Sequence, residues 1–278
     1  MSVAGAFRLR RAVGEPGAPR LLGLVAWGYL AWWILPIAVA VRASFSTTDA
    51  ALPQGFTTFW YWDVLHHHLT RSIFLRTLRL AAVTVLIATP LGAALAIAVD
   101  RLGRRTSRLI SGVVVFAVAT PQIALGVAFF LLFGFVAPFV GLDIRAQVLA
   151  HATLAIPFVA IVVRLRLAQL GHGYEESAMD LGASTWSSIR RVVLPLTAPA
   201  LLAAAVIAFT LSFDNLVLSN AVCLRIENCG TVPMLVYQSV PRAPPSPDIY
   251  AIAGMAFAVS IAGFGLVLGM VRVMRSLR

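Results

Sequence analysis

Lysine is missing from this 278-residue chain, in which all 22 basic residues are arginine. A phosphate-binding loop of the G-x-x-x-x-G-K-[ST] type needs its lysine to reach a nucleotide's phosphates. This chain therefore contains no such site, and any ATP-driven step requires another subunit. Charge is scarce as well: 12% of residues are charged, against about 25% in an average soluble domain. No hydrophilic stretch is long enough for a separate soluble domain. Neither H-E-x-x-H nor G-x-S-x-G occurs, so two common hydrolase signatures are excluded, and no cofactor or metal site is expected. The net charge of +11 does not point to nucleic acid, because no basic run is interleaved with aromatics in a soluble segment.

Apolar residues take the place of charge. They make up 60% of the chain, and mean hydropathy is +0.89. Runs long enough to cross a bilayer, about 20 residues each, are expected at 21–42, 73–99, 109–135, 146–168, 197–222 and 249–271. The fold class is thus an all-α membrane protein with six transmembrane helices and a basic tail at 1–20. The first run is long for a signal peptide and ends without an obvious cleavage site, so it reads as a retained span. Arginine partition sets the orientation. Fifteen arginines fall on the side of the N-terminus and seven on the other, which puts both termini in the cytoplasm.

Prolines 36, 90, 121 and 157 fall inside spans, where they bend helices or line a cavity. The last span carries Gly254, Ala258, Ala262, Gly265 and Gly269, a small-residue pattern suited to close helix contact. Cys223 and Cys229 share an outer loop, either bridged or as two thiols. His66, His67 and His68 read as a polar cluster at the membrane interface rather than a metal site. His151 reads as an interfacial hydrogen-bonding residue near the start of the fourth span. Asp214 is the single acid placed within a span, in a polar patch with Ser212 and Asn215. An intramembrane carboxylate is costly unless it faces water or a partner. The patch is either pathway lining or a helix-to-helix contact.

One hydrophilic stretch stands apart. "YEESAMDLGAST" (174–185) places Glu175 and Glu176 early in a short helix, where the macrodipole favours anions. Gly182 suits the left-handed position past its end, and Ser184 can cap a second short helix through about Arg191. Pro195 and Pro199 then set the entry to the fifth span. With no His, Cys or metal partner beside the acids, general acid–base chemistry has no footing. Docking of a partner, or plain connection, remains.

The residues from Glu176 to Pro195, "ESAMDLGASTWSSIRRVVLP", resemble the EAA loop of ABC-type importer permeases. Glu176, Ala178, Gly182, Val192, Leu194 and Pro195 match in register, while Ser177 stands where alanine is usual. The stretches 208–222, 231–240 and 246–255 are similar to the polyamine branch of that family, and 75–101 to its first core helix, with Arg76 where asparagine is common. Arg76 and Arg79 either snorkel to the interface or face the pathway. The likeness runs over about 72–272.

What the resemblance implies is a type I ABC importer permease, not itself an enzyme, in a bacterial inner membrane. Its helix at 172–195 docks into a cytoplasmic ATPase dimer. A second permease subunit completes the pathway. An extracytoplasmic binding protein delivers a solute such as spermidine or putrescine; sister branches carry phosphonate, ferric iron or opines. A secondary transporter is the rival, but it leaves the loop's spacing unexplained and would show charge relays and repeats.

Overall fold

The computed structural model describes residues 20–47, 54–239 and 246–276. The expected tail, apart from Arg20, lies outside these residues, as do Arg242 and Arg278. In chain order the helices are α1 (Arg20–Ala43), α2 (Phe59–His66), α3 (His68–Arg101), α4 (Arg104–Ala119), α5 (Gln122–Leu131) and α6 (Ile144–Leu170). They continue with α7 (Gly173–Asp180), α8 (Thr185–Phe213), α9 (Leu216–Ala221), α10 (Ile226–Cys229), α11 (Val232–Ser239) and α12 (Pro247–Ser276). No strand occurs among the described residues.

Five of these helices, α1, α3, α6, α8 and α12, are long and apolar enough to span a membrane. The expected third span, 109–135, is not one straight helix. α4 and the segment Gln122–Val136 meet at 99°. Pro121 is the cause: it has no N–H to offer the preceding turn, and it pushes Thr120 out of the helical region, to ψ 128°. Pro36, Pro90 and Pro157 sit within continuous helices instead.

The expected fifth span, 197–222, is also corrected. α8 stops at Phe213, and a separate α9 starts after Asn215. Asn215 ends the run because its side-chain oxygen accepts the Leu218 N–H at 2.9 Å, capping α9. Asp214 therefore lies in a break between helices, not inside one.

The core is the packed trio α3, α6 and α8. Its buried residues are small: Ala88, Ala93 and Ala96 of α3, Ala155 and Ala160 of α6, Ala204 and Ala208 of α8. Small residues let backbones approach, which is how helices gain packing energy where lipid is as apolar as the interface. Gly92 marks the closest approach, since a Cβ there would lie 2.6 Å from Val159 of α6. Of the small-residue stripe on α12, Gly254 packs on Tyr61 of α2, whereas Gly265 and Gly269 have nothing within 4 Å.

The trio also holds a buried polar chain. His151 Nδ1 lies 2.9 Å from the Ser212 hydroxyl and its Nε2 lies 3.1 Å from Ser219, while Ser212 donates to Thr84 at 3.1 Å. One tautomer satisfies all three contacts: Nδ1 carries the proton and Nε2 accepts from Ser219. His151 is 1% exposed, so it is an internal tie between α3, α6, α8 and α9, not the interfacial residue expected.

Candidate functional site: a hydrophilic helix and a cleft at opposite ends of the bundle

α7 is built as a short, well-stopped helix. Glu175 and Glu176 occupy its first turn, where they oppose the exposed N–H groups. At the other end Gly182 N–H bonds Met179 O at 2.9 Å and Ala183 N–H bonds Ala178 O at 3.0 Å. That bonding pattern is a Schellman stop. It requires a left-handed residue, and Gly182 has φ +88°.

The expected second short helix does not stand alone. Ser184 caps at Ser187 N–H, but the helix beginning at Thr185 runs unbroken through Val192, Leu194 and Pro195 to Phe213. A π turn at Ile189–Val193 makes this possible, with Leu194 N–H reaching Ile189 O. Pro195 cannot donate a hydrogen bond, and the wider turn takes up the mismatch just before it. So α7 is a single hydrophilic helix set against the first turns of a span.

The two first-turn acids of α7 divide their work. Glu175 turns inward and accepts from Arg101 Nη2 at 2.7 Å through both carboxylate oxygens. Glu176 is exposed, while Ala178 is half-buried. The outer face carries Tyr174, Met179, Leu181 and Trp186, and Leu181 is 90% exposed. A large apolar side chain held out on a rigid turn marks an interaction surface better than a solvated connector.

At the other end of the bundle, Cys223 and Cys229 are joined by a disulfide. Arg76 is engaged by this disulfide-closed loop. It donates to the carbonyls of Ile226 (3.2 Å), Gly230 (3.3 Å) and Glu227 (2.9 Å) around the end of α10; Ile226 O also accepts the Gly230 N–H at 2.7 Å. Gln147 of α6 donates to Cys229 O at 2.9 Å, and Thr77 accepts Val232 N–H at 2.9 Å. Sequence reasoning missed Glu175, Gln147 and this role of Arg76, because each depends on partners far away in the chain. Closing so short a loop stabilises the fold by about 2 kcal/mol in the chain-entropy account. A Cys223→Ser/Cys229→Ser variant is thus expected to show a lower thermal midpoint than the oxidised protein. Equal midpoints would mean that the bridge contributes nothing beyond its clamps.

Below that loop lies a cleft of about 440 Å³, lined among others by Asp214, Val232, Tyr237 and Phe257. An adjoining cleft of about 470 Å³ shares Leu216 and Tyr237 and adds Asn220. Of the three polar residues expected together, only Asp214 is exposed. Ser212 and Asn215 are buried in the hydrogen bonds described above. His66, on α2, stacks on Trp62 with ring centroids 4.0 Å apart.

The chain is 33% identical over 236 residues to the putrescine transport system permease protein PotI of Escherichia coli (strain K12), covering 82% of this chain and 83% of that protein. To the spermidine/putrescine transport system permease protein PotC of the same strain it is 29% identical over 232 residues, covering 83% and 86%. The fold matches a solved chain of a bacterial ABC transporter involved in the import of the acidic polysaccharide alginate, with TM-score 0.75, 14% identity and coverage of 95% and 98%. The model for the family described as "Binding-protein-dependent transport system inner membrane component" matches residues 88–268. The chain therefore belongs to that family, as the permease subunit of an ABC importer.

Proposed function

We propose that this chain forms half of an ATP-driven import pathway for a small organic cation of the polyamine type, handed over by an extracytoplasmic binding protein. The cargo reading is carried by one observation: a single exposed carboxylate, Asp214, in a mostly apolar cleft beside Tyr237. A carboxylate and an aromatic face are what an aliphatic ammonium seeks once out of water. The names of the two relatives point to the same solute class. α7, with its exposed Tyr174 and Met179 and with Leu181 and Trp186 just beyond its end, is the helix that an ATPase dimer grips; Glu176 and Gly182 belong to that handle. A second permease subunit covers the exposed α12 stripe and closes the cleft.

Two features support the orientation. The arginine partition favours α7 on the cytoplasmic side, and the family description supports a bacterial inner membrane. The disulfide loop then lies on the oxidising side, where such bonds persist.

The test is reconstitution with the cognate ATPase, the second permease subunit and the binding protein. ATP hydrolysis is expected to rise when the binding protein carries putrescine or spermidine. Stimulation by an anionic or neutral cargo alone would remove the polyamine reading and leave the machinery. No association with any ATPase would remove the machinery itself.

A further inference from the structure

We propose that α3 is a transmission rod, held by an arginine at each end, which carries movement of α7 to the disulfide-closed loop across the membrane. The proposal rests on the reading of α7 as the ATPase-docking helix. It adds how the movement leaves that helix.

The chain's own connections run from α7 to α6 through Gly171 and to α8 through Gly182, both at positive φ, and not to α3. α7 packs on the first turns of α8, and the Arg101–Glu175 pair ties it to α3 as well, with both carboxylate oxygens 2.7 Å from Arg101 Nη2 and side chains only 25% and 13% exposed. A shielded, charge-assisted pair of this kind is stronger than an exposed surface pair. Arg101 is fixed on its own helix by a further bond to Ile97 O at 3.3 Å.

The other end of α3 repeats the device. Arg76 grips the three carbonyls of the disulfide loop, and Thr77 takes the Val232 N–H. Between Arg76 and Arg101 the helix rises about 37 Å at 1.5 Å per residue, more than the roughly 30 Å hydrocarbon layer. At Gly92, where there is no room for a Cβ beside Val159, α3 and α6 pack closely. α6 in turn reaches the same loop through Gln147. α3, α6 and the loop thus move as one body, and Arg101 is where α7 engages it. The loop runs straight into Val232 and the cleft, so displacement of the rod reshapes the cleft wall. Arg101, Glu175 and Arg76 are positioning residues: none of them lines the cleft.

The experiment uses the assembled transporter carrying Tyr237→Cys. The native cysteines are bridged, so a maleimide reads position 237. ATP with vanadate is expected to change the labelling rate there by about tenfold, within the usual range of coupling between sites. Arg101→Gln and Glu175→Gln are each expected to abolish that change while the ATPase still co-purifies and still traps vanadate. The exchange Arg101→Glu/Glu175→Arg is expected to restore it, and Arg76→Gln to lose it as well. A normal response in Arg101→Gln, or a loss that the exchange fails to rescue, overturns the rod. So does loss of the ATPase from the Arg101 variant, which would make the pair a docking contact instead. If the transporter without these substitutions holds no ATPase, the docking reading falls first, and that control tells the two failures apart.

Discussion

Gly182→Val is expected to lower solute uptake by about tenfold or more, while Gly182→Asn keeps most of it. The difference isolates the backbone. A Cβ at this position meets nothing within 4 Å, so no clash separates the variants, and neither side chain brings charge. What differs is tolerance of φ +88°. Asparagine visits the left-handed region, whereas a β-branched residue there is a true outlier. Strain of this kind is on the order of 1–3 kcal/mol, and about 1.4 kcal/mol already shifts an equilibrium tenfold. The valine variant relieves it by giving up the Schellman bonds from Gly182 and Ala183. α7 then leaves its stop, and Leu181 is no longer presented at the same angle. The amount of chain in the membrane should not change, because the trio α3, α6 and α8 contains neither Gly182 nor its partners. Transport assays on matched membrane amounts check this. If valine and asparagine behave alike, the left-handed stop is not what the handle needs, and its exposed side chains carry the docking instead.

Much of this architecture is legible in the sequence. Apolar length marks the five straight spans, because a bilayer demands length and little else. The α7 stop is legible too, since a glycine just past an acid-led turn supplies the left-handed residue that a helix end of this kind requires. Proline is the weak point. Pro90 and Pro121 look alike in sequence, yet one lies in a continuous helix and the other starts a new one at nearly a right angle. The first is in a helix pinned to α6 two residues later at Gly92, while Pro121 becomes the capping position of α5. Tertiary packing decides between those fates, and local sequence does not contain it. The same limit hides the acids' division of labour. Glu175 and Glu176 are adjacent and chemically alike, and only the approach of Arg101, 74 residues away, makes one an anchor and leaves the other outside. Asn215 is misgrouped for a local reason: an asparagine before an apolar run reads equally as a polar lining residue or as a cap.

Asp214→Asn is expected to reduce uptake of a diammonium solute by about tenfold at subsaturating concentration, with a much smaller effect on the saturated rate. The side chain is not needed for the fold. Asp214 ends α8, where its own N–H bonds Thr210 O at 3.1 Å, a contact any residue but proline makes. The capping of α9 falls to Asn215. The carboxylate has no hydrogen-bond or ion-pair partner among the described residues, and it stands at a helix C-terminus, where the macrodipole disfavours an anion. Folding alone therefore gives no reason for an acid here; the proposed cationic cargo would. A partly desolvated opposite charge is worth on the order of 1–2 kcal/mol at such a site, well below the several kcal/mol of the fully buried limit, and that range corresponds to the tenfold effect. Asparagine keeps size and shape, so a loss reports charge. Asp214→Glu, which restores the charge one methylene further out, should recover part of it. The effect should appear as a raised half-saturation constant, since attraction felt equally on entry and in transit lowers KM without changing kcat. Unchanged uptake in the asparagine variant would take Asp214 out of the pathway. A loss confined to the saturated rate would assign it to the opening and closing of the cleft, not to its cargo.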